Sequence, residues 1–374
     1  MKSIISAMST PLASIFGSGF LVIVPILAGA VGQYSVIAMG FICLLAYFVG
    51  EVIRYNIKYV EPELSKGASN KTLVLEKVSD VSLILAYVIS VCLYLHILSA
   101  FVLNGIGQDT PFNESLLTSV IILLITAIGL FKGLNSLEGL EKWALGITLL
   151  IIVILCFSFF NYDASLLSTA SMFKYPTASD YSVWEVTTIL GGALIVVQGF
   201  ETSRYLGHVY DAETRIKSSR YSQYLSAAIY IIFVSLALPI VHQLNGNYND
   251  HSLIELVGIV SAVLITPLIL AATLSQFSAA VADTIAASGN MVEIGKGVVT
   301  EKQGYLLVGI GAFILTWTVN TFEVLALASR AFALYYLLQC FVAYSITKSL
   351  LKRCLLILIS IVLGFITVFA VPVG

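Results

Sequence analysis

The chain has 374 residues, of which 59% are hydrophobic and only 11% charged, with a formal net charge of −2 and a mean hydropathy of +0.97. Ordinary soluble domains carry roughly 25% charged residues, so that class is excluded, and without a basic domain so is a nucleic-acid binder. What remains is an all-α polytopic membrane protein.

A membrane-crossing helix needs about 20 mainly apolar residues. On that measure spans are predicted at 9–31, 34–55, 80–104, 115–132, 143–160, 184–207, 222–243, 263–288, 304–319, 322–346 and 352–372. The first apolar segment follows a single lysine with no signal-peptidase pattern and is read as a retained helix. The stretch 250–262 is apolar but short, which predicts a re-entrant or surface helix. Every lysine and arginine except Lys174 and Arg330 falls at or near one face of this arrangement. The bias places the N-terminus in the cytoplasm and, with eleven spans, the C-terminus outside. The five cysteines all lie in apolar segments and show no metal-ligand spacing.

In chain order, span 1 is interrupted by Phe16-Gly17-Ser18-Gly19-Phe20. Span 2 runs out near Glu51, predicted to be an interfacial or gate residue. Span 3 buries His96, which titrates in the range a proton relay needs and serves equally as a neutral packing residue. Span 6 starts as plain hydrophobic helix and then reaches Gln198-Gly199-Phe200-Glu201. Glu201 reads either as a proton-coupling carboxylate or as the partner of Arg204, three residues on. In span 8, Asp283 is open to capping, pairing or coupling. Span 10 carries Arg330, whose charge would cost at least about 2.5–3.5 kcal/mol if unpaired. It is expected to pair with a carboxylate, bind an anionic substrate or line the outer vestibule.

The two glycine-containing interruptions stand at matching places, in the first span of spans 1–5 and of spans 6–10. An odd number of spans per set inverts the second set relative to the first, the pattern by which secondary transporters build a midplane site. Unwinding leaves amide and carbonyl groups unpaired, tolerated in lipid only against protein or a polar cavity. The half-helix after a break aims its positive end at the gap. Phe16, Gly17, Ser18 and Gly19 are therefore expected on the carboxylate side of a substrate, with Gln198, Gly199 and Phe200 opposite. The other reading of the glycines is close helix packing.

Four stretches carry a resemblance. IFGSGFLVIVP, GFICLLAYFVGEVIRY, GFETSRYLGHVYDAETR and SQFSAAVADTIAASGNM resemble the first, second, sixth and eighth spans of the amino acid–polyamine–organocation (APC) superfamily. The chain departs from the common pattern in lacking an Asn-Pro after Glu201 and in placing Asp283 where many members have arginine. The resemblance implies a LeuT-type 5+5 inverted repeat with discontinuous helices 1 and 6. Repeat 1 would cover about 9–160, repeat 2 about 184–346, and an extra helix about 352–372. It also implies alternating access and a sodium position between spans 1 and 8, for which Ser275 and Ser278 share a helix face; ordinary packing is the competing role of these serines. Span 5 has Thr148 where some proton-coupled members have lysine.

The expected function is secondary active transport of a small zwitterionic solute, an amino acid, coupled to a proton or sodium and needing no other cofactor. The alternatives are a polyamine or nucleobase transporter and a ligand sensor of the same fold that does not transport. No Walker loop, GxSxG or HExxH occurs, so an enzyme is not expected. The expected setting is a plasma membrane, a bacterial inner one, with the bilayer and a small molecule as partners and the oligomeric state open.

Overall fold

The computed structural model describes residues 2–17, 19–67, 69–134, 139–168, 174–177, 180–296 and 298–372, and among them every regular element is helical. Ser18 lies outside the described residues. Helix α1 (Lys2–Ile15) and α2 (Gly19–Val31) flank the first break, and a 3-10 turn joins α2 to α3 (Ser35–Tyr55). After α3 come a π-helical turn and the short α4 (Glu61–Ser65), then α5 (Asn70–Gly105), α6 (Pro111–Phe131) and α7 (Gly139–Ser168).

The second break follows α8 (Val183–Gly192) and a 3-10 segment over Leu194–Val197, and ends at α9 (Thr202–Tyr205). The rest is α10 (Ala212–Val241), the short α11 (Ser252–Val260), α12 (Ile265–Ile294), α13 (Glu301–Thr316), α14 (Thr321–Ile346) and α15 (Leu350–Phe369). The apolar stretch at 250–262 is thus a separate helix, α11, packed against α2.

Helix starts are written in the sequence. Ser182/Glu185, Thr300/Gln303 and Asn320/Glu323 form capping boxes at α8, α13 and α14, and Asp211 caps α10. Such caps satisfy the first backbone N–H groups where a helix leaves the apolar layer. Glu323 is therefore spent on a cap.

Eight helical segments among the described residues are long and apolar enough to cross a membrane. Three predicted spans are not unbroken helices of that kind. Span 1 is split, with α2 running on into α3. Span 6 is split, and α13 has 16 residues.

Helix α5 is about 54 Å long at 1.5 Å per residue. Its most apolar window is 78% buried, against 22% for α15 and 28% for α6. It is the central post, packed on α12 and α14, whereas α6 and α15 present Leu123 and Ile361 outward. A lipid solvent supplies no hydrophobic drive between helices, so contact is made by close packing and interhelical hydrogen bonds. The polar residues buried at the centre are therefore where the structure is specified.

Candidate functional site

The two breaks meet. Gln198 is extended (φ −78°, ψ 167°) and Gly199 has φ +124°, a conformation that L side chains avoid. A Cβ on Gly199 would lie 2.7 Å from the Ile15 amide nitrogen and 2.6 Å from Ser14 Oγ. A Cβ on Gly19 would overlap the Tyr230 hydroxyl and the Val196 carbonyl oxygen. Each interruption has its glycine where the other chain passes.

Side chains from neighbouring helices satisfy the opened backbone. The Tyr230 hydroxyl of α10 is shared between Ile15 O (2.9 Å) and Val196 O (3.0 Å), one from each break. Ser329 of α14 donates to Gly192 O at 2.5 Å and accepts from Ile195 N at 3.0 Å. From α12, Gln276 donates to Gly17 O, and Ser275 Oγ lies 3.2 Å from the same oxygen. Glu201 Oε2 accepts from Gly199 N at 2.9 Å and from the Tyr336 hydroxyl at 2.7 Å. Glu201 is fully buried, and its Oε1 has no hydrogen-bond partner among the described residues.

Beside this junction lies a cavity of about 420 Å³ between α1, α5, α7, α9 and α12. Phe16, Tyr87 and Tyr94 form aromatic walls; Ser14, Thr148, Ser275 and Ser278 supply hydroxyls. Asp283 lines it, and its Oδ2, like Thr148 Oγ1, is buried with no hydrogen-bond partner among the described residues. The cavity extends to Glu141 near the start of α7 and Glu293 near the end of α12, the end of the bundle that carries Lys142, Lys296 and Lys302. Three carboxylates, Glu141, Asp283 and Glu293, are among the described residues of its lining. No group of three or more His, Cys, Asp or Glu among the described residues is arranged to hold a metal ion.

Sequence comparison agrees with this architecture. Residues 1–371 match a family of APC superfamily transporters. The chain belongs to the APC superfamily of transporters. It is also similar to a protein of Aquifex aeolicus (strain VF5) described as uncharacterized: 40% identical over 368 residues, covering 96% of this chain and 89% of the relative.

In this APC transporter the predicted residues fall into three groups. Phe16, Ser275, Ser278 and Asp283 line the cavity. Gly17, Gly19, Gln198, Gly199 and Phe200 form the junction behind it, with Phe200 stacked on Tyr336 at 5.4 Å. Glu201 belongs to that junction and does not pair with Arg204. Instead Arg204 binds Glu76 at 2.6 Å and Gln339, while Arg215 binds Glu61 at 2.6 Å and Arg204 O at 2.8 Å. This network ties α4, α5, α9, α10 and α14 together.

The other three lie elsewhere. Glu51 bridges Arg54 at 3.0 Å and Arg220 at 3.2 Å, joining α3 to α10. His96 lines a separate cavity with Glu114, Asp250 and Thr316. Arg330 donates to Ala370 O at 2.6 Å, and so caps the end of α15. Among the described residues no carboxylate pairs with it, and it does not line the cavity.

Reasoning from sequence passed over Tyr230, Tyr336, Ser329 and Gln276. Each is a buried hydrogen-bonding side chain, and a polar group inside a span is the signal for such a position, though here other polar residues stand beside it in the sequence.

Proposed function

We propose that this chain is a secondary active transporter that moves a small amine-bearing solute, an amino acid, by alternating access. The observation that carries the reading is the acidic, hydroxyl-rich cavity placed against two abutting helix breaks. Asp283 and the hydroxyls suit an ammonium group. The N-terminal end of α2, thirteen residues long, opens at the break and suits a carboxylate.

In this reading α1–α7 and α8–α14 are the two inverted repeats of a LeuT-type core, built from eleven spans with α15 as the extra one. The bias of basic residues then sets the N-terminus in the cytoplasm of a bacterial inner membrane. The cavity, extending toward the basic end of the bundle, represents the inward-facing side of the cycle. Coupling is assigned to a proton through Asp283 or Glu201, or to sodium held by Ser275, Ser278 and the Gly17 carbonyl.

A second reading, a polyamine or other cationic amine as substrate, is favoured by Asp283, which lines the cavity with its Oδ2 unpartnered among the described residues. Counterflow in proteoliposomes tests both: exchange of labelled amino acids or diamines identifies a transporter. Saturable binding without exchange would make the chain a ligand sensor, and neither binding nor exchange would remove the reading.

A further inference from the structure

A second recess lies away from the cavity, where α3, α10 and α15 all end at the basic face. It encloses about 800 Å³ between the last turns of α3, the π-helical turn and α4, the start of α10 and the start of α15. Its floor is apolar, built from Val52, Ile216, Leu356 and Ile359. Its rim is basic. Among the described residues Arg54, Lys58, Lys217, Arg220 and Lys352 line it against two carboxylates, Glu51 and Glu213.

The carboxylates are already committed: Glu51 to Arg54 and Arg220, and Glu213 to Lys217 at 2.5 Å. Lys58 and Lys352 have no carboxylate partner within ion-pair distance among the described residues, and both are exposed. Their ammonium groups share one ring, Tyr59: Lys352 Nζ lies 4.9 Å from the Tyr55 centroid and 5.2 Å from that of Tyr59, and Lys58 Nζ lies 5.3 Å from that of Tyr59. Two ammonium groups gathered at one ring without a carboxylate partner repel each other, and an anion bound beside them relieves that repulsion. Tyrosines at this level are also the residues that settle at a membrane–water interface.

We infer that this recess binds an anionic phospholipid, its phosphate between Lys58 and Lys352 and its acyl chains along the apolar floor. Basic pockets between spans, at the end carrying the positive charge, are the arrangement that holds acidic headgroups. The apolar floor selects a lipid over a free phosphate, because only a lipid has chains to lay on Val52, Leu356 and Ile359.

The test is binding by the purified full chain, read by native mass spectrometry and thermal melting. The probes are phosphatidylglycerol, phosphatidylcholine with the same acyl chains, and free glycerol phosphate. Phosphatidylglycerol is expected to bind saturably and raise the melting temperature above the phosphatidylcholine value, with free glycerol phosphate inert. K58A/K352A is expected to weaken that binding by roughly fivefold for each lysine removed, and K58R/K352R to retain it. Equal binding of the two lipids, equal stabilisation by glycerol phosphate, or an undiminished preference in K58A/K352A would each overturn the inference. Should K58A/K352A fail to fold, a salt titration of the wild-type chain decides. The preference must shrink between about 50 mM and about 500 mM salt, and a salt-independent preference overturns the inference. None of these readings depends on transport.

Discussion

Gly199 Cα faces the Ile15 amide so closely that a methyl group there would sit 2.7 Å from the nitrogen. The two breaks are thus one junction, and glycine is required twice over at position 199, by φ +124° and by the neighbouring main chain. Backbone strain of this kind costs about 1–3 kcal/mol, and overpacking against backbone adds about 1–3 kcal/mol. Gly199→Ala is expected to lower the melting temperature sharply and to abolish uptake. Gly40→Ala, at a helical site with nothing within 4 Å of the added carbon, is expected to change neither. Equal behaviour of the two variants would remove the junction.

Tyr230 joins the halves through a single hydroxyl. Tyr230→Phe keeps the ring, which stacks on Phe16 at 5.4 Å, and removes only the proton offered to Ile15 O and Val196 O. Leaving buried acceptors unsatisfied costs about 1–3 kcal/mol. The expected result is a folded protein with reduced melting temperature and a transport defect larger in turnover than in apparent affinity. A variant indistinguishable from wild type in both would show that the shared hydroxyl does not hold the halves together.

The breaks were legible because glycine and polar residues interrupt apolar runs, and Asp283 because a carboxylate in a span is costly. The partners were not. Reading Glu201 with Arg204 assumed a continuous helix, yet α9 begins only at Thr202, and Glu201 turns back onto the Gly199 amide. Arg204 takes Glu76, 128 residues away in the chain, which no local spacing reveals. Arg330 takes a main-chain carbonyl at the far end of α15, a partner with no side-chain signature. For His96, a span apolar on all sides gives no indication of which face meets a cavity.

Arg204 and Glu76 form a buried pair, 6% and 16% exposed. Removing one partner of such a pair costs about 3–5 kcal/mol, because the other charge stays buried. Arg204→Met is expected to be strongly destabilising, and Arg204→Met with Glu76→Gln to recover much of the loss. Arg330→Ala deletes one bond to an uncharged oxygen and is expected to leave substrate KM within about twofold of wild type. Thermal melts of the four proteins and uptake by the last would check this; a tenfold rise in KM for Arg330→Ala would place that residue in the substrate path.

At the opposite end, His251 sits between Asp250 (3.3 Å), Glu255 (3.5 Å) and Asp109 (3.6 Å). Burial alone would lower the imidazole pKa, but its close contact with the Asp250 carboxylate and the three negative charges around it outweigh burial and raise the value above 6.5. Asp250 is pushed up by burial but carried below 3.8 by its bonds with His251 and Thr321; Asp109 is lowered mainly by Asn104. A raised histidine contributes stability fully below 6.5 that is lost as pH rises through its folded value. The lowered aspartates contribute stability above 3.8 that is lost as pH falls through theirs. Melting temperature is therefore expected to be highest between about pH 4 and about pH 6.5 and to fall on the alkaline side. His251→Gln is expected to flatten the alkaline fall; an unchanged slope would show that this cluster does not set it.

Asp283 separates the proposed transporter from a merely acidic-walled protein. The residue lines the cavity and its Oδ2 has no hydrogen-bond partner among the described residues, so Asp283→Asn leaves no other charge unpaired and replaces a desolvated carboxylate with a near-isosteric amide. Burying an unpaired charge is costly, and relieving it is expected to hold or raise the melting temperature. A charged hydrogen bond to an ammonium group is worth about 1.5–3 kcal/mol, so loss of that contact is expected to weaken amine binding by roughly 10- to 150-fold. The decisive pattern is opposite signs: stability kept or gained, affinity lost. If Asp283→Asn bound and exchanged amines as well as the wild type, the ammonium would have to be held elsewhere in the cavity, at Glu141 or Glu293 near its basic end, and Glu141→Gln and Glu293→Gln would then carry the loss instead.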